Sequence, residues 1–173
     1  RDSGETVLDG EKLLGEALAS GCEVTSLLAA EGSLPGRVPE GARFYAAPPE
    51  LVAYASPVKN SPGPVFTVRL PERRAPERVE SAVVLESVQD PGNVGTVLRT
   101  LDAAGFDGCI LTPGCADPFG PKALRATMGS VFRVPVCSVG NTVETVQALN
   151  ARGYATLAAA LDGENFYRRA PLP

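Results

Sequence analysis

The feature that most constrains the fold is the run SAVVLESVQDPGNVGTVLRTLDAAGFDGCILTP, residues 81–113. AVVLESV (82–88) is a near-continuous apolar stretch, the pattern of a strand buried on both faces of a parallel sheet. Behind it, Val94, Val97, Leu98, Leu101 and Ala104 recur at helical spacing and predict a helix from about Asn93 to Gly105. GCILTP then reads as the next strand. The alternation continues through a short helix (PKALRATMG), a short strand within FRVPVCSV, a helix (TVETVQALNARG) and a fourth strand (YATLAAAL). This predicts a doubly wound α/β domain. It stops at DGENFYRRAPLP, which holds turn residues only. A four-stranded parallel sheet ending there would leave apolar edges uncovered, so the domain is expected to be C-terminally incomplete.

Upstream the pattern is denser. A helical stripe starts near Gly10 with Leu13, Leu14, Ala17 and Leu18, and EVTSLLAA (23–30) reads as a strand. ARFYAA is a short strand, PPELVAYAS a short helix with proline at its start, and VFTVRL (65–70) a strand. Together they make a compact αβαβ unit. The charged, proline-bearing stretch PERRAPER (71–78) has no apolar periodicity and marks a boundary. The expected domains are residues 1–71, a linker at 72–79, and residues 80–173. Arg69, Arg73, Arg74 and Arg78 around that boundary form the best candidate for a basic patch, and a solvated linker accounts for them as well.

The turn DPGNVG resembles a phosphate loop but is not one. A dinucleotide fingerprint needs G-x-G-x-x-G and a P-loop needs G-x-x-x-x-G-K-[ST]. Here Gly92 and Gly95 are the only glycines and no lysine follows. This also disfavours a nucleotide-dependent oxidoreductase. Asp90-Pro91 makes the turn, and Asn93 is a suitable N-cap. Arg99 falls roughly opposite the apolar stripe, with Gly95 four residues before it and nothing to cover its guanidinium. An arginine there overlooks the C-terminal edge of a parallel sheet, where open α/β folds bind ligands. A plain surface arginine behind an ordinary cap fits the same spacing.

Composition closes other routes. The chain has no histidine, which excludes histidine acid–base chemistry and a Ser-His-Asp triad. Cys22, Cys109, Cys115 and Cys137 show no C-x-x-C spacing, so no metal site is expected and they read as small buried hydrophobes in a reducing compartment. A net charge of −4 argues against broad non-specific nucleic-acid binding, without excluding a local patch. No apolar window is long enough for a membrane span and the N-terminus has no signal pattern, which makes a cytoplasmic protein the default.

DPGNVGTVLRTLDAAGFDGCIL, followed by PKALRATMGSVFRVPV, resembles the first motif region of the SpoU (TrmH-type) RNA 2′-O-ribose methyltransferases of the SPOUT superfamily. VLDGEKLLGEALASGCEVTSLL is similar to that family's L30e-like substrate-binding domain. The resemblance implies a small L30e-like α/β/α domain, then a parallel-sheet, Rossmann-like trefoil-knot domain. It also implies S-adenosylmethionine as cofactor, RNA (ribosomal RNA above all) as substrate, and a homodimer. Asn93 and Arg99 correspond to the motif's functional pair, with Arg99 the residue usually assigned to catalysis. Ala159 and Ala160, at the end of the expected fourth strand, leave room for an adenine, and a sheet core explains them equally. Lys122 and Arg125 on PKALRATMGS could touch RNA or simply be solvated, and Lys12 and Lys59 could help the first domain grip it. Ser130 and Met128 are read as packing residues. The family's G-N-E-G and I-P-M…S-L-N motifs are absent, and KNSPGPVFTV lacks a glutamine often found before its glycine. A non-catalytic RNA-binding module is therefore the rival expectation.

Overall fold

The computed structural model describes residues 4–33, 38–58, 61, 63–70 and 79–168. Arg73, Arg74, Arg78, Lys59 and nearly all of the expected linker lie outside the described residues.

The first half is built on a four-stranded sheet. Its elements are β1 (Glu5–Asp9), α1 (Glu11–Ala19), β2 (Val24–Ala30), β3 (Arg43–Ala47), α2 (Pro49–Ala55) and β4 (Val65–Arg69). The order is β1-β4-β2-β3, antiparallel except for the β2–β3 pair. The sequence reading placed the later elements but missed β1. ETVLD alternates weakly and runs straight into the stripe of α1, so its strand character comes from pairing with β4, Leu8 opposite Phe66. Leu8, Leu27, Phe66 and Val68 are buried here, and α1 adds Leu13, Leu14 and Ala17.

The second half holds β5 (Ala82–Leu85), α3 (Pro91–Ala104), β6 (Gly108–Leu111), α4 (Pro121–Thr127), a 3-10 turn at Ser130–Phe132, β7 (Val136–Ser138) and α5 (Thr142–Ala151). The sheet is parallel, in the order β5-β6-β7. β5 ends at Leu85 rather than Val88, because Ser87 takes a left-handed conformation, φ 51°, and turns the chain. The expected fourth strand is not formed. Residues 154–161 join no ladder, and Leu157, Ala159, Ala160 and Leu161 are exposed. Four of those eight residues are alanine, which contributes little to a pleated, half-buried surface.

The start of α3 is a second correction. Asp90, not Asn93, is the N-cap: its Oδ1 accepts from the Asn93 backbone N–H at 3.0 Å. Pro91 sets the first helical φ and has no N–H to leave unpaired. The helix therefore begins before Asn93 and leaves that side chain free of capping. At the other end Gly105 takes the left-handed cap.

The apolar residues of both halves form one core cluster, from Leu8 and Phe66 to Leu98, Cys109 and Val131.

Candidate nucleic-acid interface

α3 carries the centre of the site. Val94, Leu98 and Leu101 are buried against the sheet and leave the opposite side of the helix to solvent. Asn93, Thr96 and Arg99 are all exposed and follow one another at steps of three along that side. Thr96 and Thr100 turn their hydroxyls inward, donating to Gly92 O and Thr96 O at 2.8 and 2.9 Å. Among the described residues, the side chains of Asn93 and Arg99 make no hydrogen bond or ion pair, with each other or with anything else. Six residues of helix separate them by about 9 Å along the axis.

Gly95 does not clear space for Arg99. It is buried and faces α4, where a Cβ would meet Ala126 Cβ at 2.5 Å and Ala123 O at 2.7 Å. Its absent side chain lets α4 lie against α3. That places Lys122 beside the start of α3, where its Nζ donates to Asp90 Oδ2 at 3.1 Å. Asp90 thus caps α3 with one oxygen and holds Lys122 with the other. Lys122 and the Asn93 N–H, in that order, hold its carboxyl below the usual range.

Lys122 and Arg125 line one groove of about 640 Å³ together with Pro121 and Ala126 of α4, and with Pro57 and Val58 from the first half. Lys12 is elsewhere. It lines a separate cavity of about 380 Å³ at the start of α1 with Gly10, Glu11, Ala29, Ser33 and Pro64. The structure thus brings Asn93, Lys122 and Arg125 into one neighbourhood through Asp90 and α4, and leaves Lys12 apart. Ala159 and Ala160 belong to neither group. Ser130 is buried, and Met128 ends α4 in a left-handed cap.

Around the carboxyl edge of the parallel sheet the loops are tied together. Cys115 Sγ donates to Leu85 O at 3.2 Å and accepts from Val88 N at 3.4 Å. Thr112, at the end of β6, is buried, and its Oγ1 has no hydrogen-bond partner among the described residues. Burial, with Cys115 and Cys137 adding to it, pushes the Cys109 thiol up to about 12, which makes it a packing residue. Among the described residues no group of three or more Cys, Asp or Glu side chains is placed to hold a metal ion. Nor is any helix there long and apolar enough to cross a membrane.

Two residues that the sequence reading did not single out join the halves. Arg133 donates to Asp102 Oδ2 of α3 at 2.7 Å, to Glu16 Oε2 of α1 at 2.8 Å and to Ser20 Oγ at 3.2 Å. Gly129, with φ 94°, lies where a Cβ would meet Glu16 Cβ at 2.6 Å. FRVPV carried no periodic signal for the first contact, since its partners are 31 and 117 residues away.

The chain as a whole is matched by known proteins. The sequence pattern of the SpoU rRNA methylase family matches residues 80–173, and the chain belongs to that family. It is 31% identical over 166 residues to the 23S rRNA (guanosine(2553)-2′-O)-methyltransferase RlmP of Bacillus subtilis, covering 95% of this chain and 66% of that one. It superposes with a TM-score of 0.84 on a TrmH-family protein from Porphyromonas gingivalis, at 33% identity, covering 99% of this chain and 68% of that one. The SpoU methyltransferase AviRb of Streptomyces viridochromogenes, solved with AdoMet, gives a TM-score of 0.71 at 25% identity, covering 88% of this chain and 62% of that one. The chain thus spans just under two thirds of the RlmP and AviRb lengths.

Proposed function

We propose that the protein transfers a methyl group to a ribose 2′-hydroxyl of RNA, ribosomal RNA in particular, with S-adenosylmethionine as the methyl donor. The observation that carries this reading is Arg99, unpaired among the described residues, on the exposed row of α3 in a chain of the SpoU family. The reading continues with residues 1–71 as an L30e-like substrate domain and residues 80–173 as the methyltransferase domain, in a cytoplasmic homodimer. Exposed Val143, Leu157 and Leu161 on and after α5 support a surface for a second copy.

The chemistry follows from what the side chains can do. The cofactor supplies an electrophilic methyl, its sulfonium leaving as a neutral thioether. The hydroxyl proton passes to solvent water, so the protein must orient the hydroxyl and stabilise the charge that its oxygen develops. Orientation alone is worth up to about 7–11 kcal/mol of barrier in well-aligned reactions. Arginine stays protonated in proteins and is a poor literal base. Arg99 instead grips an RNA phosphate with its fork and stabilises the developing alkoxide, and the Asn93 amide orients the hydroxyl. Lys122 and Arg125 add phosphate contacts from the neighbouring groove. Toward the cofactor, the described residues offer Thr112 Oγ1 as a buried unpaired atom at the end of β6, while Ala159 and Ala160 are exposed. These alone do not make a seat for it.

The test is methyl transfer from labelled S-adenosylmethionine to ribosomal RNA by the full-length protein. Alkaline hydrolysis of the product follows. A 2′-O-methyl group removes the nucleophile that cleaves the adjacent phosphodiester, so the site appears as a gap in the ladder. Label on a base, with an unbroken ladder, overturns the ribose assignment.

A further inference from the structure

Asp9 is the one charged residue that is buried among the described residues. It ends β1, opposite Val65 of β4. Its Oδ1 is inaccessible to solvent and has no hydrogen-bond partner among the described residues. A carboxylate taken out of water is costly unless a cation or donors compensate it, so one with an orphan oxygen needs a reason. The cation beside it comes from the other half. Arg125 Nε of α4 lies 3.9 Å from Oδ1, in ion-pair range and beyond hydrogen-bond range.

Arg125 is itself half exposed and lines the groove between α4 and the Pro57–Val58 turn. Its neighbour Lys122 is already bonded to Asp90. The Arg125 side chain makes no hydrogen bond among the described residues, which leaves its two terminal nitrogens for a ligand. A guanidinium with that fork free matches a phosphate oxygen pair. A flexible surface arginine must be ordered when it binds, and that ordering subtracts from affinity. A buried charge behind the guanidinium does the ordering beforehand.

We propose that Asp9 is a positioning residue for an RNA phosphate site in the groove between the halves, holding Arg125 from behind so that its fork meets the phosphodiester. The ligand in this inference rests on the RNA reading above; the link between Asp9 and Arg125 does not. It makes a prediction of sign. A negative charge close to a polyanion ordinarily weakens binding, so neutralising a mere bystander tightens it. Neutralising a positioning carboxylate loosens it.

The experiment uses the full-length protein, Asp9→Asn, Arg125→Ala and the double variant. The probe is a fluorescein-labelled single-stranded oligoribonucleotide of mixed sequence, titrated over a potassium chloride series. The Arg125 Nε–Hε signal, assigned by its loss in Arg125→Ala, is followed by NMR in parallel. Arg125→Ala is expected to raise Kd about three- to tenfold and to reduce the salt slope by about 0.7. Asp9→Asn is expected to raise Kd several-fold alone, to add nothing in the Arg125→Ala background, and to speed solvent exchange of the Arg125 Hε. Asp9→Ser, smaller and neutral, is measured the same way in case the amide packs badly. Tighter or unchanged binding in the Asp9 variants, an equal loss in both backgrounds, or an unaltered Hε signal overturns the inference and leaves the RNA reading standing. A wild-type protein that binds no RNA overturns both, whatever the NMR signal shows.

Discussion

Arg99 stands out at the scale of the single residue because its side chain pairs with none of the described residues. Arg69 and Arg133, by contrast, are spoken for: Arg69 is bonded to Glu23 at 2.7 Å, and Arg133 to Asp102 and Glu16. An exposed guanidinium without a partner on a fully formed helix is free to meet a ligand. Arg99→Ala is expected to abolish methyl transfer by the full-length protein and to leave its circular dichroism and melting temperature unchanged. Arg99→Lys keeps the charge and loses the fork, so it separates the two roles. A phosphate grip predicts a raised KM for RNA with partial turnover, and near-normal turnover in Arg99→Ala removes the assignment. Gly95 behaves in the opposite way. Arg99 is expected to be silent in stability and central to function, whereas Gly95 acts through packing. An added methyl meets Ala126 Cβ and the Ala123 carbonyl, and neither is a flexible tip that can move aside. Gly95→Ala is expected to cost about 1–3 kcal/mol, as overpacking does, seen as a lower urea midpoint with unchanged slope. Wild-type stability in that variant would mean that the α3–α4 contact at Gly95 yields to an added methyl.

At the scale of the element, the start of α3 shows what sequence patterning conveys and what it does not. The period of Val94, Leu98 and Leu101 located the helix and its buried face, and Arg99 opposite them, because amphipathic spacing is a local property. The cap was misplaced because Asp90, Asn93 and Pro91 all favour a helix start. Only the backbone geometry shows that Asp90 receives the Asn93 N–H. The second duty of Asp90, holding Lys122 from 32 residues away, has no local signature at all. The strand expected at 154–161 failed for a related reason: apolarity can be read from residues, whereas a ladder partner cannot. The Asp90 assignment has a graded test. Asp90→Asn keeps an efficient cap but gives up the charge that holds Lys122, and Asp90→Ala gives up both. Thermal melts are expected to rank wild type above Asp90→Asn and Asp90→Asn above Asp90→Ala. Equal melting of the two variants would mean that capping adds nothing here.

At the scale of the whole molecule, the question is what makes two sheets one body. The shared core cluster is one tie, the Asp9–Arg125 ion pair a second, and the Arg133 clamp a third. The clamp is charge-assisted on both sides, and it sits where Gly129 lets Glu16 of α1 approach closely. A clamp of this kind sets where the groove's two walls stand, since Pro57 and Val58 belong to one half and Lys122 and Arg125 to the other. Its ionic part has a defined pH signature. The Arg133 hydrogen bond, first among its causes, holds the Asp102 carboxyl below the usual aspartate range. A folded-state value depressed below the unfolded one contributes stability that is complete above the unfolded value, about 3.9, and disappears as pH falls through the folded one. Arg133→Ala is therefore expected to be less stable than wild type by roughly 1 kcal/mol across pH 5–8, a melting shift of about 2–4 °C for a chain of this size. The gap should close as the pH is taken progressively below about 3.9, where the wild type loses the interaction too. Urea titrations at a series of pH values read this directly. A gap that stays constant into acid would show that Arg133 acts through the packing of its stem rather than through its charge. The clamp would then tie the halves by apolar contact, as the core cluster does.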